Sequence, residues 1–312
     1  MKIDSKLNDL LQLLEEKYGK SGQNINAYLE GLLHANYLNY WDYIQVDTLL
    51  TLQKTRTPIA DEVIFIVYHQ ITELYFKLCL HEMKQIAEVK GYITTDFFTA
   101  RLKRMNAYFR NLINSFEIMV DGMDKDQFLQ FRMSLLPASG FQSAQYRMVE
   151  ICATDFIQLT DKEVRDQLKG KSIEEQFEHL YWKAGATELA TGKQTLTLTQ
   201  FIERYEREFL QLAKDFADKN LWQVYKAMPE KQQKNADLIE QLRTFDEYVN
   251  VYWPLMHYKS AVRYLQRNPQ DIAATGGTNW QKYLPPRFQK RIFYPELWSA
   301  EEIEEWGKKG IM

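Results

Sequence analysis

The chain is short of the residues that punctuate. It holds 13 glycines and 8 prolines in 312 residues, well under the roughly 12% these two make up in an average protein. Both interrupt helices and build turns, so a sandwich or barrel turning every ~10 residues is disfavoured. Cysteine is scarcer still. Cys79 and Cys152 stand in unrelated contexts, which gives neither a disulfide framework nor a cysteine-based zinc site. Two buried thiols in a reducing cytoplasm are the simplest reading. Apolar runs are short: the longest is about Val63 to Val67, against the ~20 residues that span a bilayer. No membrane partner is expected. The first twenty residues are charged and amphipathic, without the apolar stretch or cleavage site of a secretory signal. An excess of one charge is also missing. With 39 basic and 42 acidic residues the net charge is −3, which argues against nucleic acid as the main partner.

What the chain does have is aromatic bulk and helical periodicity. Its 19 Tyr, 17 Phe and 7 Trp are more than a plain helical scaffold needs. Apolar residues recur at spacings of three and four through most of the sequence. Helices are expected over about 7–19, 24–39, Pro58–Lys90, Asp96–Val120, Lys125–Leu135, Gln142–Ile157, Glu174–Lys183, Leu198–Asp218 and Glu230–Arg267. Pro58 suits a first turn, and Pro254 predicts a kink in the last helix. The fold class is therefore all-α, built of long antiparallel helices. A single domain over 1–312 is expected, with an N-terminal helical arm over 1–37. The Thr-, Gly- and Ala-rich stretch 184–200 reads as a loop or insert.

Four segments could carry chemistry. Phe65, His69, Thr72 and Phe76 share one helical face. His69 is either a core histidine bonded to a carboxylate or carbonyl, or a polar group facing an apolar pocket. His257 has Trp253 one turn before it, and Ser260 and Ala261 one turn after. A large plane on one side and small residues on the other would let a flat cofactor reach the imidazole, as haem iron requires. A structural role is the alternative. Arg132 sits among Phe128, Phe131 and Leu135, where an unpaired charge is costly. It either forms an internal ion pair or captures a substrate carboxylate in a bidentate grip. Ala274–Trp280 reads as a connecting loop or as one that closes over a ligand.

In order along the chain, these segments resemble the tryptophan 2,3-dioxygenase family. The resemblance is carried by Tyr40-Trp41-Asp42-Tyr43-Ile44, by Asp61, Glu62, Phe65, Ile66, His69, Gln70, Glu73 and Leu74, and by Phe131-Arg132. Pro137 through Ser143 with Gln145-Tyr146-Arg147 follows, then Trp253 with His257 and Thr275-Gly276-Gly277. The resemblance implies an all-helical enzyme, usually a homotetramer with intertwined N-terminal segments, holding one haem b per subunit. It would insert O₂ across the indole C2=C3 bond of L-tryptophan to give N-formylkynurenine. The same resemblance puts His257 at the iron ligand and His69 at the indole N–H. Phe65 and Phe128 fall on the pocket wall, Arg132 on the carboxylate, and Thr275 beside the amino-acid end. Trp253 and Gly276 fall near the cofactor, and Tyr40, Tyr43 and Ile44 in the neighbouring subunit's pocket. Departures gather on the proximal side: Pro254 replaces the usual Arg, and Trp280 replaces a Gly. They leave room for two other readings, a related haem oxygenase with another indole or aromatic substrate, or a haem- or tryptophan-binding protein without turnover.

Overall fold

A computed structural model describes residues 4–35, 38–135, 138–186, 193–266 and 284–308. Among the described residues there are helices and no strand; one isolated bridge pairs Thr160 with Leu180. The all-α expectation holds. The chain divides into two compact units, residues 1–54 and 55–312.

The first unit contains the expected arm and runs on through residue 54. Helices Ser5–Gly19 and Ile25–Leu33 start on Asp4 and Asn24, whose side chains accept from the backbone N–H of Lys6 and Asn26. Each cap satisfies one of the amides a helix start leaves without a partner. Gly22, at φ +70°, makes the reversal between them in a region L-residues avoid. Two one-turn helices follow, Tyr40–Tyr43 and Val46–Leu49. None of the four helices contains a buried residue.

The second unit is organised by two long helices, Glu62–Ala87 and Thr95–Ser115, packed on each other. A connection of seven residues forces such contacting neighbours to run antiparallel. Gly91 (φ +88°) turns the chain, and the Thr94 hydroxyl caps the second helix at Phe97 N, 3.3 Å. Phe76, Cys79 and Met83 meet Phe98, Leu102, Met105, Phe109 and Leu112 in a fully enclosed core. Each such side chain contributes ~1.5–3 kcal/mol by leaving water. Glu82 is buried in the same interface. Arg104 Nη1 and Tyr108 OH donate to it at 3.0 and 3.3 Å, and Arg101 Nε lies 3.2 Å away. Helix Ala144–Ala153 packs against Glu62–Ala87, and helix Ala236–Glu247 against Thr95–Ser115.

Several boundaries move for identifiable reasons. Helix Glu62–Ala87 starts four residues after Pro58, because the Glu62 carboxylate accepts from Arg56 N, Thr57 N and the Thr57 hydroxyl. Those bonds fold residues 56–57 back onto the first turn. By length and composition this is the one described helix apolar enough to cross a membrane; one face packs on Thr95–Ser115 and Ala144–Ala153, while Val63, Ile71, Leu74 and Leu78 stay exposed in the single chain. Of the expected 184–200 loop, residues 187–192 lie outside the described residues, and helices cover parts of both ends. Tyr181–Gly185 is helical, and the Thr195 hydroxyl caps a helix that begins at Leu196. The expected helix 230–267 is three pieces after a first turn at Glu230–Gln233: Ala236–Glu247, a widened π turn Tyr248–Tyr252, and Trp253–Leu265. Pro254 has no N–H for the carbonyl one turn back, and its ring crowds that turn. The extra residue of the π turn accommodates it, and the final helix sets off from Trp253.

Candidate active site

Two histidines from distant parts of the sequence face the same interior. His69 lies in the third turn of helix Glu62–Ala87. Its Nδ1 is 2.7 Å from the Phe65 carbonyl oxygen. A carbonyl can only accept, so Nδ1 carries the proton and Nε2 keeps a free lone pair. His257 repeats the device on helix Trp253–Leu265, with Nδ1 2.9 Å from the Trp253 carbonyl oxygen. Burial lowers both pKa values. For His257 the fall reaches about 4, with His69 and Arg147 adding to it and the Trp253 carbonyl opposing it. For His69 the Phe65 carbonyl and Glu73 oppose the fall. Both rings are neutral at pH 7, and His69 is close enough to bear on the charge of His257.

Both imidazoles are surrounded by aromatic rings. Phe116 sits 4.5 Å from the His257 ring and 5.7 Å from Tyr68, which adjoins His69. Trp253 stands edge-on to His257 at 4.5 Å. Phe65 lies 4.1 Å from the His69 ring and contacts Phe128 and Phe131 at 6.3 and 5.7 Å. Phe128 in turn rests on Tyr264 at 4.5 Å. Gly140 comes within reach from a separate loop: a Cβ there would stand 3.8 Å from His69 Nε2. The Ser139-to-Gln142 capping box fixes that loop, with Phe141 N on the Ser139 hydroxyl and Ser139 N on Gln142 Oε1.

Arg132 opens the 3₁₀ turn that continues helix Lys125–Phe131. It is 4% exposed, and desolvation lowers its pKa. The helix is tied to the His69 helix at its start, where Asp61 accepts from Asp124 N at 2.6 Å and Asp61 N donates to Gln127 at 3.2 Å. The fold thus brings Phe65, His69, Phe128, Trp253 and His257 into one aromatic-lined region. Tyr40, Tyr43 and Ile44 belong to the first unit, where all three are exposed. Thr275, Gly276 and Trp280 lie outside the described residues.

Phe116, Gly140, Tyr264 and the buried Arg147–Glu150–Arg291 ion cluster had no sequence-based role. Gly140 and Arg147 both stood inside the runs that carried the resemblance, so a signal existed for two of them. Arg291 follows a Gln-Lys pair in a region with no periodicity to read.

The donor set fits an iron porphyrin. A neutral imidazole with its Nδ1–H anchored on a carbonyl presents Nε2 as a metal ligand, and aromatic rings flank it. Fold and site define a helical protein whose interior holds two neutral imidazoles among aromatic rings. Residues 31–184 match the model of the family described as tryptophan 2,3-dioxygenase. The chain is 27% identical to tryptophan 2,3-dioxygenase of Bacillus cereus (strain ZK / E33L) over 296 residues, covering 89% of this chain and 98% of that protein. It is 26% identical to the protein of that name from Bradyrhizobium diazoefficiens over 85% of this chain and 92% of the relative. A shorter stretch of 117 residues is 37% identical to the one from Anaeromyxobacter sp. (strain K). These matches make the chain a relative of the tryptophan 2,3-dioxygenase family, and they support an oxidoreductase.

Proposed function

We propose that the protein is a haem-dependent dioxygenase that converts L-tryptophan to N-formylkynurenine. The observation that carries this reading is the matched pair of tautomers. His257 Nε2 holds a lone pair for iron, and His69 Nε2 holds one for an N–H donor. Haem b, when bound, supplies O₂ binding and activation. The chain's own residues do the rest. His257 would hold the iron through Nε2. His69 would accept the indole N–H, in a role that needs no proton transfer. Gly140 leaves the space next to His69 Nε2 unfilled. Phe65 and Phe128 exclude water and give the indole plane an apolar wall. Arg132 pairs with the substrate carboxylate through charge-assisted hydrogen bonds. The family resemblance gives Thr275 a role at the amino-acid end, and Trp253 and Gly276 a role at the cofactor.

Two further points support assembly and location. The first unit leaves Leu10, Leu32, Leu33, Tyr40 and Tyr43 exposed in the single chain. Apolar patches of this kind mark interaction surfaces. A homotetramer in which Tyr40, Tyr43 and Ile44 complete a neighbour's pocket would cover them. Cys79 and Cys152 are free and buried, which suits a reducing cytoplasm.

The test is anaerobic reduction of the haem protein, then addition of isotopically labelled O₂ with L-tryptophan. N-formylkynurenine carrying two labelled oxygens is the expected product. Binding without oxygen consumption would leave a tryptophan-binding protein. Turnover of another indole alone would correct the substrate.

A further inference from the structure

The loop that carries Gly140 is held in place by two side-chain amides. Gln142 works inside the loop. Its Oε1 accepts from Ser139 N at 3.2 Å, and its Nε2 donates to the Thr197 carbonyl oxygen at 3.1 Å. One side chain thus closes the loop and fastens it to the start of helix Leu196–Asp215. Gln145 works just beyond, in the first turn of helix Ala144–Ala153. Its Nε2 donates twice to Glu73, to the main-chain carbonyl oxygen at 2.9 Å and to carboxylate Oε2 at 2.8 Å. A carbonyl oxygen has two lone pairs, so Glu73 accepts from Gln145 without giving up its place in the helix.

The second tie bears on the room beside His69. Gly140 borders that ring: a Cβ there would stand 3.8 Å from His69 Nε2. Gln145 lies five residues after Gly140 on one segment, and Glu73 four residues after His69 on the other. One helical turn is 3.6 residues, so little chain lies between the tie and the space it governs. The two helices also pack through Phe76 and Tyr146, whose rings are 5.4 Å apart. Apolar contact of that kind is non-directional and permits sliding. A donor held on two acceptors of one residue is directional and does not.

We infer that Gln145 is a positioning residue for substrate selection: its tie to Glu73 sets the room between Gly140 and His69 Nε2, which fits a bare indole N–H and disfavours a bulkier group on that nitrogen. The inference rests on the dioxygenase reading, in which His69 accepts that N–H. Gln145 acts through the loop and needs no contact with substrate or cofactor.

The experiment measures kcat and KM of the haem-loaded protein for L-tryptophan and for 1-methyl-L-tryptophan, with the melting temperature of each variant. Wild type is expected to prefer L-tryptophan in kcat/KM. Gln145→Leu removes the donor at similar volume. It should raise KM for L-tryptophan more than it lowers kcat. The preference should shrink roughly fivefold or more, as for the loss of one buried hydrogen bond. Gln145→Lys keeps a donor for the Glu73 carboxylate and should recover most of the preference. Gln145→Asn, whose shorter side chain withdraws the amide, stands in if the Leu variant does not fold. Gly140→Ala puts a methyl group beside His69 Nε2. It should cost less in kcat/KM for L-tryptophan when combined with Gln145→Leu than alone, because the loop can then recede. A lower melting temperature with both substrates slowed by the same factor would mark a merely structural role and overturn the inference. Additive costs in the double variant, or a wild type that uses both substrates alike, overturn it too. All three outcomes leave the dioxygenase reading standing. No N-formylkynurenine from wild type with L-tryptophan defeats that reading, and the positioning role with it.

Discussion

At the scale of single residues, His257 carries two consequences that can be measured apart. Replacing it with Ala removes the only lone pair proposed for the iron, so the purified variant should show no Soret band. A retained band would reassign the ligand. The second consequence concerns the haem-free protein. Unfolded, the imidazole takes a proton near pH 6.5; folded, only near pH 4. Between those values the unfolded chain binds more protons, so stability falls as pH falls, by about 3 kcal/mol in all. Asp246 works the other way. Burial raises its carboxyl to about 6 against four hydrogen bonds that favour its charge, and stability drops as pH rises toward that value. The comparison is therefore wild type against His257→Leu. Chemical denaturation at pH 7 and pH 4.5 should show wild type losing stability relative to the variant. Parallel curves would refute the buried neutral imidazole. Arg132→Ala should raise KM for L-tryptophan at least tenfold, since a hydrogen bond to a charged group contributes ~1.5–3 kcal/mol. An unchanged KM removes it from the carboxylate.

At the scale of elements, the piece that aims the site is the interrupted helix from Ala236 to Leu265. Its π turn sits between Asp246 and Trp253, and both ends are pinned. The Asp246 carboxylate accepts from Asn250 at 2.7 Å, from Phe293 N and Tyr294 N at 2.9 and 3.1 Å, and from Trp298 Nε1 at 3.0 Å. One buried side chain thus ties the C-terminal segment to the helix that leads into His257. Asp246→Ala strands those donors inside the protein and should cost roughly 3–5 kcal/mol, read as a lower denaturation midpoint. A change below 1 kcal/mol would show that the segment docks by its aromatic contacts alone. Periodicity revealed the helix and Pro254 announced its irregularity. That the irregularity is a π turn followed from packing, because both helix halves had apolar faces to bury.

At the scale of the whole molecule, the first unit is the open term. Its helices are capped and amphipathic, yet none of their side chains is buried in the single chain. Isolated helices of this length are marginal in water, so the unit needs a surface to cover. Replacing Leu32 and Leu33 with Glu should lower the mass measured by light scattering below that of the proposed tetramer. It should also raise KM for L-tryptophan if Tyr40 and Tyr43 complete a neighbour's pocket. A variant that keeps the wild-type mass would show that these leucines lie outside the interface.

The chain by itself determined its class and most of its helices, because a 3.6-residue apolar period and scarce Gly and Pro leave few other solutions. It also displayed Phe65, His69, Arg132 and His257 as local patterns. Each of those patterns had an ordinary structural reading, and sequence spacing could not decide between the two. Tertiary structure decided that His69 and His257, 188 positions apart, share one interior and present matching lone pairs. It alone assembled Arg147, Glu150, Tyr181 and Arg291 into a buried cluster with one positive charge too many. The reason is physical: a periodicity reports which face of a helix leaves water, while ring-to-ring distances and charge balance depend on which faces then meet.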